Sequence, residues 1–126
     1  MGLAIMFFMA SPSSSSAAAL NEFHKALTEA DRDYRSASFY LRTGNPGLAL
    51  LEIQTLSGKW QALSETFRDQ PPDAYANDRA WGPTLGQIRH QIDSALADAD
   101  AGNITAMRGH LKPIRAALAD LRRRNG

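Results

Sequence analysis

The chain has 126 residues, of which 44% are hydrophobic and 21% are charged, a composition typical of one globular domain with one core. Fourteen lysine and arginine residues against thirteen aspartate and glutamate residues give a net charge of +1, which disfavours nucleic acid or an anionic membrane as a partner. The absence of cysteine excludes disulfides, thiolate metal sites, iron–sulfur clusters and c-type haem attachment.

The first nineteen residues differ in composition from the rest of the chain. An apolar run over residues 2–10 is too short to cross the bilayer as a helix, which takes roughly 20 residues. A serine-rich stretch and three alanines ending at Ala19 follow, and small residues suit a signal peptidase. We predict a signal peptide over residues 1–19, cleaved near Ala19, and a periplasmic or secreted mature chain over residues 20–126. Because no lysine or arginine precedes the apolar run, a disordered apolar tail stays as the alternative.

Four segments of the mature chain carry apolar residues at alternating steps of four and three, which places them on one face of a helix. The predicted helices span about residues 20–43, 46–68, 82–100 and 103–123. The four apolar stripes are Phe23, Leu27, Ala30, Tyr34, Ala37 and Leu41; Ala49, Ile53, Leu56, Trp60 and Leu63; Trp81, Leu85, Ile88, Ile92, Ala95 and Ala99; and Met107, Leu111, Ile114, Leu118 and Leu121. The last two stripes repeat the first two at an offset of 58 residues, the difference between positions 44 and 102. The chain is therefore predicted to contain two copies of a helical hairpin.

Each predicted hairpin turns at a Gly-Asn pair, Gly44-Asn45 in the first copy and Gly102-Asn103 in the second. Glycine after a helix adopts a left-handed backbone at little cost, and asparagine suits the N-cap of the next helix. Pro46 takes the first helical position, where its missing N–H is harmless. The repeated pair is therefore predicted to be structural.

The link between the copies, residues 69–80, contains Pro71-Pro72, which ends the second helix. Trp81-Gly82-Pro83 begins the third helix. Helices of about 20 residues are ~30 Å long, and four narrow apolar stripes are best buried against one another. The predicted fold is all-α, an antiparallel up-down-up-down four-helix bundle built from two similar helical hairpins.

The segment QIDSALADADAGN at residues 91–103, the Pro71-Pro72 loop and the final helix from Gly102 resemble the soluble periplasmic b-type cytochrome, a four-helix bundle related to cytochrome c prime. The resemblance implies this fold and a haem held by a methionine early in the first helix and a histidine late in the fourth. These positions fall on His24 and Arg122. Because arginine is not an iron ligand, we expect the usual haem ligation to be absent and His24 to remain as the candidate cofactor-binding residue.

The three histidines are predicted to lie at different heights in the bundle. At 1.5 Å per residue, His24, His90 and His110 lie about 30, 18 and 10 Å from the corners, so they do not converge on one metal ion. His24 flanks the first stripe near Arg122, either as a lone haem or metal ligand or as a half-buried polar side chain. His90 is predicted to face solvent.

The fourth helix contains Met107, Gly109, His110 and Pro113 within seven residues. A proline inside a helix clashes with the carbonyl four residues earlier, here that of Gly109, so we predict a kink between these two residues. The kink is expected to expose Met107 and His110 beside Glu52 of the second helix. These three side chains form a candidate copper or haem-iron site, and the alternative is a core methionine with a surface His–Glu salt bridge.

No nucleophile elbow, Walker loop, zincin motif or dinucleotide fingerprint occurs, so no enzyme activity is predicted. We expect a small exported binding or interaction protein that resembles a b-type cytochrome without its standard haem ligands, with a protein partner or a homodimer. The alternative is a periplasmic haem- or copper-binding electron-transfer protein that uses His24 or the Met107–His110 pair. A third reading is an adaptor that holds a partner helix against an exposed apolar patch beside the kink.

Overall fold

The computed structural model describes residues 12–125, with side chains for residues 17–124. Within that range the helices are α1 (Pro12–Arg42), α2 (Pro46–Phe67), α3 (Trp81–Asp100) and α4 (Ile104–Asn125), with a 3-10 turn at Asp73–Tyr75. Contacts join α1 to α2, α2 to α3, α3 to α4 and α4 to α1, so each helix packs on two neighbours. The predicted all-α class is confirmed, and the packing is that of a four-helix bundle.

The core consists of the four predicted apolar stripes. Every stripe residue is buried except Ala99, which is partly exposed and packs against the core. Trp60 is fully buried, and its Nε1 donates a hydrogen bond to the backbone oxygen of Leu85 at 3.0 Å, which ties α2 to α3. The alternation of four- and three-residue steps therefore identified the core correctly.

The two halves of the chain end and restart their helices at equivalent positions. α1 ends at Arg42 and α3 ends at Asp100, 58 residues later, while α2 and α4 both contain 22 residues. Gly44 and Gly102 have φ angles of +80° and +73°, the left-handed conformation predicted for both.

The predicted asparagine N-caps differ between the two corners. The Oδ1 atom of Asn103 accepts a hydrogen bond from the backbone N–H of Ala106 at 3.1 Å, so this cap is confirmed. Asn45 makes no cap hydrogen bond, because its side-chain amide donates instead to the backbone oxygen and hydroxyl of Thr43. Asn45 therefore occupies the predicted N-cap position but lacks the predicted cap hydrogen bond.

The first helix begins earlier than predicted. Residues 12–19 of the predicted signal peptide are helical, and residues 1–11 lie outside the described residues. Among the side chains of residues 17–20, those of Ala19 and Leu20 pack against the core, whereas Ala17 and Ala18 are exposed. Alanine continues a helix by intrinsic propensity without tertiary contacts, so the exposed Ala17 and Ala18 are still helical. No helix within residues 12–125 combines the length and apolar character needed to cross a membrane.

The link between α2 and α3 covers one end of the bundle. Tyr75 is fully buried there, and its hydroxyl donates a hydrogen bond to the backbone oxygen of Leu121 on α4. Its ring joins those of Phe23, Phe67 and Trp81, with contacting ring centroids 4.9–5.5 Å apart. Helical periodicity identified Phe23 and Trp81 but gave no signal for Tyr75, which lies outside the α-helices.

Candidate functional site

His24 and Arg122, the positions to which the resemblance assigns the haem ligands, meet across α1 and α4. Arg122 Nη2 donates to the backbone oxygen of His24 at 3.3 Å and to the hydroxyl of Thr28. The ring of His24 lies beside Phe23, with 6.1 Å between ring centroids, and its buried Nε2 has no hydrogen-bond partner among the described residues. The predicted position of His24, half-buried and near Arg122, is confirmed.

These surroundings do not fit a haem of the implied kind. The guanidinium of Arg122 is permanently cationic and has no acceptor lone pair for iron, and its Nη2 is hydrogen-bonded to α1. The rings of Phe23, Tyr75 and Trp81 fill the adjoining end of the core.

The candidate metal residues Met107, His110 and Glu52 are not brought together. Met107 is 1% exposed and packs in the core, so its predicted exposure is wrong. His110 turns toward α3, where its Nε2 lies 3.3 Å from Asp98 Oδ2 and its Nδ1 lies 3.1 Å from Gln91 Oε1. Glu52 belongs to α2, which packs on α1 and α3. Among the described side chains, no group of three or more histidine, aspartate and glutamate residues is arranged to hold a metal ion.

The predicted exposure of Met107 is wrong because Met107 occupies a stripe position, which faces the core. Pro113 lies inside α4, which continues as one helix, and Gly109 borders a groove between α4 and α1. His110 precedes the buried Leu111 by one position, on the side of the helix that faces α3. His90 is exposed, as predicted.

Two adjoining grooves follow the line along which α1 packs against α4. The groove nearer the corners has a volume of about 440 Å³ and lies among Tyr34, Ser38 and Leu41 of α1 and Gly109 and Leu111 of α4. The second has a volume of about 320 Å³ and is lined on its apolar side by Leu27, Leu118 and Ala119. The cationic side chains that line the two grooves, here called the basic seam, are Arg35, Arg42, Arg108, Lys112, Arg115, Arg122 and Arg123.

The position of the basic seam follows from helix geometry. Arg108, Lys112, Arg115 and Arg122 each come one residue after a buried stripe residue of α4. One residue is a rotation of about 100° around the helix, so these side chains lie at the edge of the buried face that borders α1. The same rule places Asp31, Arg35, Ser38 and Arg42 at the facing edge of α1.

The charge of the seam differs from that of the remaining chain. One carboxylate, that of Asp31, accompanies the seven cations along the two grooves. Seven cations and twelve carboxylates remain elsewhere, which is a net charge of −5. The whole-chain charge of +1 therefore conceals a basic face on an otherwise acidic molecule.

Most of the seam cations lack a counterion in the structure. Arg35 pairs with Asp31 at 2.9 Å and Arg123 pairs with Asp120 at 3.6 Å. Four others, Arg42, Arg108, Lys112 and Arg115, make no hydrogen bond or ion pair among the described residues. Cations gathered in this way create a positive potential that favours anionic groups.

Comparison of the chain with protein-family models, with curated proteins and with solved structures gives no match. The seam is therefore identified from its geometry and charge. Sequence reasoning missed it because net charge was summed over the whole chain. The available signal was a second stripe in α4, Arg108, Lys112, Arg115 and Arg122, at helical spacing beside the apolar one.

Arg124 has a different role from the neighbouring arginines. It contacts Asp78 at 2.8 Å and Asp120, and its Nη1 lies 3.4 Å from the hydroxyl of Thr84. Burial lowers the pKa of its guanidinium, but the hydrogen bonds that it donates to Asp78 and Asp120 outweigh burial and raise the pKa above its ordinary value. Arg124 thus fixes the α2–α3 link to α4 and is not part of the seam.

Proposed function

We propose that this protein is a small exported interaction module that binds an acidic segment of a partner protein along the basic seam. The observation that carries the proposal is the row of four unpaired cations, Arg42, Arg108, Lys112 and Arg115, beside open grooves. From Arg108 to Arg123 the seam runs about 22 Å along α4, enough for several carboxylates of an extended or helical segment.

The topology that we propose is the antiparallel up-down-up-down bundle of two similar hairpins. Only residues 43–45 separate α1 from α2, and only residues 101–103 separate α3 from α4. Connections this short favour antiparallel neighbours. The contact of Arg122, near the end of α4, with His24, in the N-terminal half of α1, supports the same arrangement.

An acidic protein segment fits the seam better than a nucleic acid does. The net charge of −5 outside the seam repels the remainder of a long phosphate backbone. Tyr34 is the only aromatic residue among those that line the two grooves, and it is 9% exposed, so the grooves lack a stacking platform for bases.

Export to the periplasm or outside the cell is part of the proposal. Among the described side chains of the predicted signal peptide, only Ala19 packs against the core. Cleavage near Ala19 therefore leaves the buried stripes intact. N-terminal sequencing of the protein recovered from the periplasm or medium tests this, and an uncleaved chain in the cytoplasm would contradict it.

The binding test uses poly-L-glutamate as the probe. We expect the wild-type protein to bind it and to bind less tightly as salt is added, because the contacts are charge–charge contacts. The Lys112→Glu/Arg115→Glu variant should lose binding. Gln54→Glu/Ser57→Glu, which adds two carboxylates at the equivalent positions of α2, should retain more of it. Absence of wild-type binding, or equal loss in the two variants, would overturn the proposal; tighter binding of polyuridylate of equal charge would favour a nucleic acid.

Haem or copper binding is the second candidate function, and one observation favours it. The buried Nε2 of His24 has no hydrogen-bond partner, and this nitrogen is a common metal ligand. Titration with haem and with copper tests this candidate. A Soret band or a copper band that disappears in the His24→Ala variant would support it, whereas a protein that stays colourless would exclude it.

A further inference from the structure

The groove beside Gly109 differs from the rest of the basic seam because it combines charge with an apolar floor. Leu41 and Leu111, which are 6% and 2% exposed, lie beneath it, and Arg42, Arg108 and Lys112 surround it. Its volume of about 440 Å³ falls within the range of roughly 300–1,000 Å³ typical of sites that accept an organic group.

The groove lies where α1 and α4 have smaller residues than α3 and α2 have at the equivalent positions. Ser38 occupies the position in α1 that Leu96 occupies in α3, where the leucine packs against the core. Gly109 on α4 corresponds to Leu51 on α2, and a Cβ atom added to Gly109 would meet nothing within 4 Å. The space is therefore open from both sides.

We infer that this groove receives one apolar side chain of the acidic partner, flanked by carboxylates that pair with Arg42, Arg108 and Lys112. The inference rests on the proposed function, and it specifies the partner's motif as an aliphatic or aromatic residue within an acidic segment. The unpaired cations provide the charge complementarity, and the buried leucines provide the contact for the inserted side chain. An anchor of this kind supplies specificity that charge alone does not.

The large exposed apolar residues of the bundle lie outside both grooves. Phe39, Leu48 and Leu51 are 51%, 45% and 57% exposed, and none of them lines the groove at Gly109. This placement counts against the third reading, an adaptor with an exposed apolar patch beside the predicted kink, and leaves one apolar recess rimmed by cations.

The test uses two synthetic acidic peptides of about 15 residues, close to the length of a helix that spans the seam. They are identical except for leucine or serine at the centre. We expect the wild-type protein to bind the leucine peptide at least about tenfold more tightly, since burial of one leucine side chain supplies that difference. Ser38→Leu, which copies Leu96, should fill the groove and remove the preference while binding of the serine peptide persists. Gly109→Leu, which copies Leu51 at the mouth of the groove, serves as a second filled variant.

The outcomes separate this inference from the proposed function. Equal binding of the two peptides by the wild-type protein, or a preference for leucine that survives in both filled variants, would overturn the apolar subsite and leave the acidic partner standing. Failure of both peptides and of poly-L-glutamate to bind the wild-type protein would overturn both. Circular dichroism melting confirms that each filled variant is folded before its binding is measured.

Discussion

The α1–α4 seam and the α2–α3 seam occupy equivalent positions in the two repeats but differ in charge, since the first is strongly basic and the second is not. Asp31 and Arg35 form an ion pair at 2.9 Å on α1, and the equivalent pair on α3 is reversed, with Arg89 and Asp93 at 3.3 Å. On α4, cations stand where α2 has neutral residues; the equivalent pairs are Arg108 and Leu50, Lys112 and Gln54, Arg115 and Ser57, and Arg122 and Ser64.

The comparison separates the buried stripe residues, which stabilise the fold, from the rim residues, which give the two seams different charges. The buried stripes match in phase at every position of the two repeats, because either helix pair needs the same apolar face. The positions one residue later lie at the rim of that face, where packing does not require charge. Packing of the buried stripes therefore does not explain why the rim is basic in one seam and neutral or acidic in the other. The basic rim is the surface on which to look for function.

Replacing Trp60 with leucine, the residue at the equivalent position 118, tests how the two seams are held. The α2–α3 seam has the indole hydrogen bond to Leu85, whereas the equivalent pair across α1 and α4, Leu118 and Leu27, is apolar. We expect the free energy of unfolding to fall by about 2–4 kcal/mol, because a large buried side chain and its hydrogen bond are lost. Urea denaturation measures the change, and a loss below about 0.5 kcal/mol would contradict this role of Trp60.

Replacing Lys112 with glutamine and Arg115 with serine gives α4 the residues that α2 has at positions 54 and 57. We expect affinity for poly-L-glutamate at low salt to fall about tenfold, or about 1.4 kcal/mol, while stability changes by less than about 0.5 kcal/mol. Titration of labelled protein measures the affinity. Arg32→Ser/Arg79→Ser removes the same charge from exposed positions outside the seam. An equal loss in this control would mean that net charge and not the seam governs binding.

Tyr75 belongs to neither repeat, and its replacement by phenylalanine tests the end of the bundle that both seams share. Burial raises the pKa of its phenol above the ordinary value of 10.0, an effect that Arg124 partly opposes. The unfolded chain therefore ionises first, so this stabilisation is complete below about pH 10 and declines as pH rises through the folded-state pKa.

Urea unfolding of both proteins between about pH 8 and pH 11 measures this effect. At the lower pH we expect Tyr75→Phe to lose about 1 kcal/mol with the hydrogen bond to Leu121. The gap between the two proteins should narrow toward the higher pH, since the other tyrosines are common to both and cancel. A gap that stays constant with pH would show that Tyr75 does not titrate differently on folding.

The smallest expected effect concerns Gly58, whose equivalent in α4 is Ala116. Gly58 lies inside α2, is exposed, and has open space where a Cβ atom would stand. We expect Gly58→Ala to stabilise the fold by about 0.5–1 kcal/mol through helix propensity alone, and to leave peptide binding unchanged. Thermal melting detects the change, and a lower melting temperature would show that the glycine has a packing role.

The sequence predicted the fold well because the fold depends on patterns that repeat along the chain. Periodic apolar positions located the stripes, and Gly44 and Gly102 located the corners. Tyr75 was missed because a short 3-10 turn has no such period. The cap hydrogen bond of Asn45 was mispredicted because residue type alone does not say which of several nearby groups a side-chain amide will contact.

The candidate site was harder to predict than the fold. Met107 and His110 were grouped because the kink predicted at Pro113 was expected to expose both, yet Met107 packs in the core and His110 contacts α3. The cations of the seam come from two helices at opposite ends of the chain. The net charge of the whole chain adds them to carboxylates that lie elsewhere, so it does not reveal the basic seam. Reading the residue after each stripe position in α4 would have found four of the seven seam cations.

The separation of charge on this molecule also bears on the speed with which it meets a partner. A face with seven cations and one carboxylate, on a body of opposite sign, gives the molecule a large electric dipole moment. In the electric field of an acidic surface such a molecule rotates before contact. A greater share of encounters therefore occurs with the basic seam on α1 and α4 facing the partner. The association rate constant should consequently respond to ionic strength more strongly than the dissociation rate constant does.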